Sequence, residues 1–236
     1  MKKLGFTLAE VLICIGILGV VAMLTLPALM SDVKKHQVGP ALAKAINTLR
    51  TTNDFAIQQY NARDLIEIME TEGEAETQYF ECVLTKFMQF DRITNPKNYK
   101  KFDKASAYDV INAKPNGYQT KDGMVYYRSN PSNPGDSRPI SLTSTAHLGK
   151  GYSGKYYVVY VDINGPHKKP NNLGRDVFQL WVDTKGVVIP YGGAAHKAYT
   201  NSSKILWHTA CMKEVSDAEA CAGSVVDNAY KVVYKY

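Results

Sequence analysis

No dense stripe of Lys and Arg runs through this chain. Its basic residues are scattered, with short clusters at Lys34-Lys35, Lys100-Lys101 and Lys168-Lys169, and 28 basic against 22 acidic residues leave a net charge of only +6. A surface that tracks phosphates needs a denser array, so nucleic acid is not expected as a partner. Catalytic signatures are missing as well. The five histidines, His36, His147, His167, His196 and His208, sit in separate segments. "GYSG" at Gly151–Gly154 lacks the spacing of a nucleophile elbow, and "LGKGYSGK" lacks the phosphate-loop pattern. There are four cysteines, none at a zinc-binding spacing. No reaction of the chain's own is therefore expected. The remaining enzymatic alternative is an exported domain with a His/Ser/Asp arrangement formed only in space.

What is present begins at the N-terminus. Between Val11 and Met30, twenty residues include only Thr25 as a clearly polar side chain. At ~1.5 Å per residue such a helix crosses a ~30 Å hydrocarbon layer. A cleaved secretory signal has a shorter apolar region followed by a small-x-small site, which "LTLPALMSD" offers poorly. Lys2 and Lys3 precede the run, so the positive-inside tendency places the N-terminus in the cytoplasm and the body outside it. Glu10 is the anomaly, because an acid in a bilayer costs ~2.5–3.5 kcal/mol near the centre and less near the edge.

The residues around Glu10 supply an account. "MKKLG", then "FTLAEVLI" with the acid at the fifth position after Gly5, resembles the class III leader of type IV prepilins and type II secretion pseudopilins. The resemblance implies that a prepilin peptidase cuts between Gly5 and Phe6 and methylates the new amino group of Phe6. It further implies that Glu10 meets the charged N-terminus of an adjacent subunit during assembly, an ion pair in low dielectric that offsets desolvation of the acid. Gly16, Gly19 and Pro27 interrupt an otherwise helix-favouring run. In a lone anchor they are ordinary packing residues; in pilin-like subunits Gly19 and Pro27 match positions flanking a segment that can lose helicity in the filament.

Beyond the apolar run, Leu42, Ala45, Ile46 and Leu49 fall at i, i+3, i+4 and i+7, and Ala56, Ile57 and Tyr60 prolong the stripe. A long amphipathic helix packed on the chain's own sheet is expected, with a kink or break at Val38-Gly39-Pro40. The acid-rich stretch Asp64–Glu76 reads as one or two solvated helical turns, and "TQYFECVLTKFMQF" as a buried helix. Residues 95–151 carry the turn signals "KPNG", "KDG" and "SNPSNPGDSRP", with strands at "GMVYYR" and "PISLTS". From Lys155 to Gly192, three β-branched and aromatic runs predict an antiparallel meander.

The loop inside that meander, "DINGPHKKPNNLGRDVF", resembles a segment of many pseudopilin-like globular domains. It brings Asp162, Asn164 and Asp176 close in sequence, and oxygen donors on a loop are what Ca²⁺ prefers. Major pseudopilins hold calcium in a corresponding region, so the resemblance implies a calcium site here. The spacing is not that of an EF-hand, and Asn164-Gly165 explains itself equally as a tight turn. Cys14 lies in the apolar run, while Cys82, Cys211 and Cys221 face the oxidising side and permit three pairings. By resemblance to the C-terminal disulfide of type IV pilins, the expected pair is Cys211–Cys221.

The sequence thus predicts an α+β protein: a long N-terminal helix, membrane-spanning in its first half, packed on an antiparallel β-sheet domain. Its expected divisions are a cleaved leader 1–5, a transmembrane and assembly helix 6–30, its amphipathic continuation 31–62 and a globular head 63–236. The resemblance implies a pilin or pseudopilin of a bacterial inner membrane, extruded into an extracellular or periplasmic filament. Its partners would be the prepilin peptidase, identical or related subunits, the inner-membrane assembly platform and membrane lipid. The alternatives are a minor pilin whose head binds a surface, DNA or another subunit, and an anchored domain that never polymerises.

Overall fold

Helix α1 (Leu8–Tyr60) runs for 53 residues without a break in the computed structural model, which describes residues 7–73, 79–94, 117–129, 140–141, 154–168, 171–200, 206, 211 and 220–234. Two faces of chemistry share this one rod. In the first half Leu12, Ile13, Ile17, Leu18, Val20 and Leu24 are all exposed, so none of the described residues of the head covers them. In the second half Leu42, Ala45, Ile46, Leu49 and Ala56 are fully buried. The predicted stripe is the core stripe, each large side chain contributing about 1.5–3 kcal/mol by burial.

The expected break at Val38-Gly39-Pro40 is not there: both Pro27 and Pro40 lie inside the helix. Pro40 gives up one backbone hydrogen bond, but the neighbouring turns are held by packing. Gly39 serves a different purpose from breaking. A Cβ on it would stand 1.7 Å from the carbonyl oxygen of Tyr230, so its bare Cα lets the C-terminal segment lie directly on the helix. The helix ends where Asn61 turns left-handed (φ 49°) and donates its N–H back to Gln58 and Ile57.

Helix α2 (Leu65–Thr71), capped by Asp64, is less solvated than its acids suggest, because Leu65, Ile68 and Met69 face the core. A π-helical turn (Tyr79–Leu84) and the short α3 (Thr85–Phe87) follow. The predicted second long helix stops there, and Phe90 already belongs to a strand.

Strands β1 (Phe90–Thr94), β2 (Gly117–Thr120), β3 (Val125–Ser129), β4 (Ile140–Ser141), β5 (Lys155–Asp162), β6 (Val177–Asp183) and β7 (Val188–Pro190) form one sheet. Its path is β1-β2-β3-β5-β6-β7 with β4 on β5, and every strand pairing is antiparallel. "GMVYYR", the beginning of "PISLTS" and the three-strand meander are among these strands. The fold is α+β, as the sequence predicts.

Alternation along β5 and β6 sends side chains to two cores. Tyr157, Val159, Val161, Phe178, Leu180 and Val182 pack toward α1, while Tyr156, Val158, Tyr160, Val177 and Trp181 join Tyr199 on the other face. Tyr199 lies on α4 (Ala194–Thr200), and α5 (Cys221–Asp227) closes the described chain near its C-terminus. Strands buried on both faces read as near-continuous apolar runs, which is what "YYVVYV" and "VFQLWV" are.

Candidate functional site

The start of α1 carries the first set of predicted residues. Gly5 and Phe6 lie outside the described residues. Thr7 is the N-cap, and Glu10 completes a capping box with it. The Thr7 N–H and hydroxyl donate to Glu10 Oε2 at 2.8 and 2.7 Å, and the Glu10 N–H donates to Thr7 Oγ1 at 3.3 Å. The carboxylate therefore satisfies backbone groups that any helix leaves unpaired at its first turn. The pattern Thr7-x-x-Glu10 was readable in the sequence, and it gives Glu10 a local role beside the one expected from the resemblance. Gly19 and Pro27 lie within the exposed half of α1, and a Cβ at Gly16 or Gly19 would meet nothing within 4 Å.

The second set is the loop between β5 and β6, which does bring Asp162, Asn164 and Asp176 together. Asp162 Oδ1 accepts the N–H of Asn164 at 3.1 Å and of Gly165 at 2.8 Å. Asp176 accepts from the Asn164 amide at 3.3 Å, and its backbone carbonyl accepts the Ile163 N–H at 2.9 Å. Gly165 has φ +83°, and a Cβ there would stand 2.5 Å from the Gly123 carbonyl, so the tight-turn reading of Asn164-Gly165 also holds.

Sequence reasoning missed Asn171 and Asn172. Their N–H groups donate to Asp176 at 2.7 and 2.6 Å, with Asn171 held left-handed at φ 55°. Both acids are buried among these amides. Burial, reinforced by the Asp176 charge, pushes the Asp162 carboxyl well above its usual range; burial also raises Asp176 against the pull of the Asn171 and Asn172 N–H groups.

A metal test of this loop rests on its leftover oxygens. Asp162 Oδ2 and the Oδ1 atoms of Asn164, Asn171 and Asn172 are buried without a hydrogen-bond partner among the described residues. All are hard oxygen donors with no nitrogen or sulfur among them, the chemistry that suits calcium. Among the described residues no cluster of three or more His, Cys, Asp or Glu could hold a metal. Amides, not a third acid, make this loop fit a cation. It opens on a cavity of about 530 Å³ whose lining includes Lys34, Gln37 and Ala41 from α1 and Asn164, Lys168 and Asp176 from the loop.

The cysteines and histidines occupy other places. Cys211 and Cys221 form a disulfide with Cα atoms 5.4 Å apart, Cys82 is buried in the core outside it, and Cys14 is exposed on α1. His36 and His167 are exposed, while His147 and His208 lie outside the described residues. His196 is buried edge-on to Trp181 and Tyr191, with ring centroids 4.4 and 4.5 Å away.

Together these features define an α+β domain on a helix long and apolar enough to span a membrane. No protein-family model matches the chain, and no curated protein or solved structure matches it significantly.

Proposed function

We propose that this chain is a structural subunit of the pilin and pseudopilin kind. It is inserted with its N-terminus in the cytoplasm, cut after Gly5, methylated on Phe6 and polymerised through the exposed half of α1. The observation that carries this reading is the division of a single helix: one half forms the core of the head and the other presents an uncovered apolar surface led by Glu10. A simple anchor needs a span of ~20 residues but no rigid continuation into the head. A filament whose shaft is made of packed helices needs both. The mechanism is assembly, and the chemistry belongs to the peptidase.

The capping box supplies a sharp test, because Gln fills the third position of such a box as well as Glu does. Glu10→Gln keeps the cap and removes the charge. Under the assembly reading Glu10→Gln and Glu10→Ala both insert in the membrane and both fail to enter filaments. Incorporation of the Gln variant at the wild-type level would reduce Glu10 to a helix cap. Processing is checked by intact mass and N-terminal sequence with and without a prepilin peptidase. The expected product begins at methylated Phe6 only when the peptidase is present; a chain that keeps Met1 would refute the proposal.

A further inference from the structure

One face of α1 passes from the apolar run into the head without interruption. Met23, Pro27 and Met30 lie about three, two and one helical turns before Lys34, and Gln37, Val38 and Ala41 continue the same face after it. Before Lys34 the face is exposed and apolar. After it, the face becomes one wall of the cavity of about 530 Å³, whose other wall carries Ile163, Asn164, Lys168 and Asp176 of the β5–β6 loop and its flank. That volume falls in the range of small-molecule sites, about 300–1,000 Å³.

Charge on these walls does not cancel. Asp122 is neutralised by Lys44 at 2.6 Å, and both oxygens of Asp176 are taken by N–H groups of Asn164, Asn171 and Asn172. Lys34 and Lys168 are exposed, and neither ammonium is paired with a carboxylate among the described residues. Lys168 acts on the buried Asp162 only through its field. Lys35, one residue along, is outside the lining and pairs with Asp32 at 3.8 Å. The cavity therefore lacks an anion. Asn164 Oδ1, on the loop wall and without a partner among the described residues, accepts a hydroxyl donor as well.

Depth along the rod selects which anion. Lys34 stands about 6 Å beyond Met30, the end of the apolar run. Headgroups occupy the layer of ~5–8 Å on either side of the hydrocarbon, so Lys34 falls within it when the run spans a bilayer. We propose that this cavity seats the headgroup of an anionic phospholipid, with its phosphodiester between the Lys34 and Lys168 ammonium groups and its acyl chains along Met23, Pro27 and Met30. The site rests on the reading of α1 as a membrane span and is independent of polymerisation. Its ligand comes from the bilayer itself, because a free phosphate has nothing to lay against the exposed apolar face.

The test is native mass spectrometry of the full chain released from detergent micelles, titrated with phosphatidylglycerol. One lipid is retained per chain, and phosphatidylcholine, which has no net charge, requires about 25-fold more for half-saturation. Lys34→Gln and Lys168→Gln each raise the half-saturating phosphatidylglycerol concentration about fivefold, and together about 25-fold. Lys35→Gln removes the same charge next door and leaves it within about twofold, because that side chain does not line the cavity. Equal retention of phosphatidylcholine, or an equal effect of Lys35→Gln, overturns the site in favour of a diffuse charge field. Displacement of the lipid by inorganic phosphate at matching concentration overturns the choice of a lipid. Flotation with liposomes at alkaline pH separates this proposal from the one beneath it. A chain that floats but shows no lipid preference loses this site alone, whereas a chain stripped from the vesicles loses the membrane span and the site with it.

Discussion

His196 shows how a single side chain can set a pH dependence. Burial against Trp181 and Tyr191 lowers its pKa from 6.5 to about 4, and neither ring nitrogen has a hydrogen-bond partner among the described residues. The folded state therefore keeps the neutral ring while the unfolded state takes up a proton. Stability from this residue is complete above pH 6.5 and is lost as pH falls toward 4, on the order of 2–3 kcal/mol in all. Asp162 and Asp176 act with the opposite sign. Their raised carboxyls bind protons in the folded state first, so in metal-free protein the acids gain stability as pH falls through their folded range. The two effects separate by mutation. His196→Phe fills the same aromatic box without a nitrogen, and urea unfolding should show it equal to or more stable than wild type at pH 7 and clearly more stable at pH 4.5. An unchanged difference between the two pH values would show that His196 does not titrate within this range. None of this was legible in the sequence, where His196 is one of five scattered histidines. Nor were Asn171 and Asn172, because which backbone N–H groups reach the Asp176 carboxylate depends on the fold of the loop.

Elements join through a few contacts that can be broken singly. Asn53 on α1 is fully buried; its amide donates to the Gly186 carbonyl in the β6–β7 turn at 3.0 Å and its oxygen accepts the Tyr79 hydroxyl at 2.8 Å. Tyr79→Phe leaves that oxygen unpaired in the core, and chemical denaturation should register a loss of about 1–3 kcal/mol. Gly39→Ala places a methyl group on the Tyr230 carbonyl. The expected cost is about 2–3 kcal/mol, or detachment of the C-terminal segment, visible as faster proteolysis after Asn228. Reduction of the Cys211–Cys221 bridge, which spans a sequence separation of 10, should cost about 2–4 kcal/mol of stability. Strand existence was readable here because β-branched and aromatic runs between turn signals have few other uses. Helix continuity at Gly39-Pro40 was not, since the reason for the glycine lies almost two hundred residues away at Tyr230.

At the scale of the whole molecule, the sequence pattern accounts for the architecture and for the exposed half of α1. Apolar periodicity tells which face is covered, and a run apolar on all faces tells that no part of the head covers it. It does not tell what does. The long rod makes a further prediction if the chain polymerises: charge placed on its exposed half should block filaments while sparing the head. Ile17→Lys should leave head stability within about 0.5 kcal/mol, because no described head residue packs on that surface, and should remove the subunit from sheared filament fractions. Normal filament yield from that variant would count against α1 as the assembly surface.

The seat of Tyr230 on Gly39 also decides where labels can go. Gly39 is nine residues beyond Met30, about 14 Å along the rod from the end of the apolar run. A probe fused after Tyr234 would therefore emerge at the foot of the head, and, under the proposed assembly, crowded against a bilayer or a filament shaft. The β6–β7 turn, which meets α1 at Asn53, lies about 21 Å farther out. Under the same proposal, an epitope inserted beside Lys185, in that turn, is the one an antibody would reach from outside.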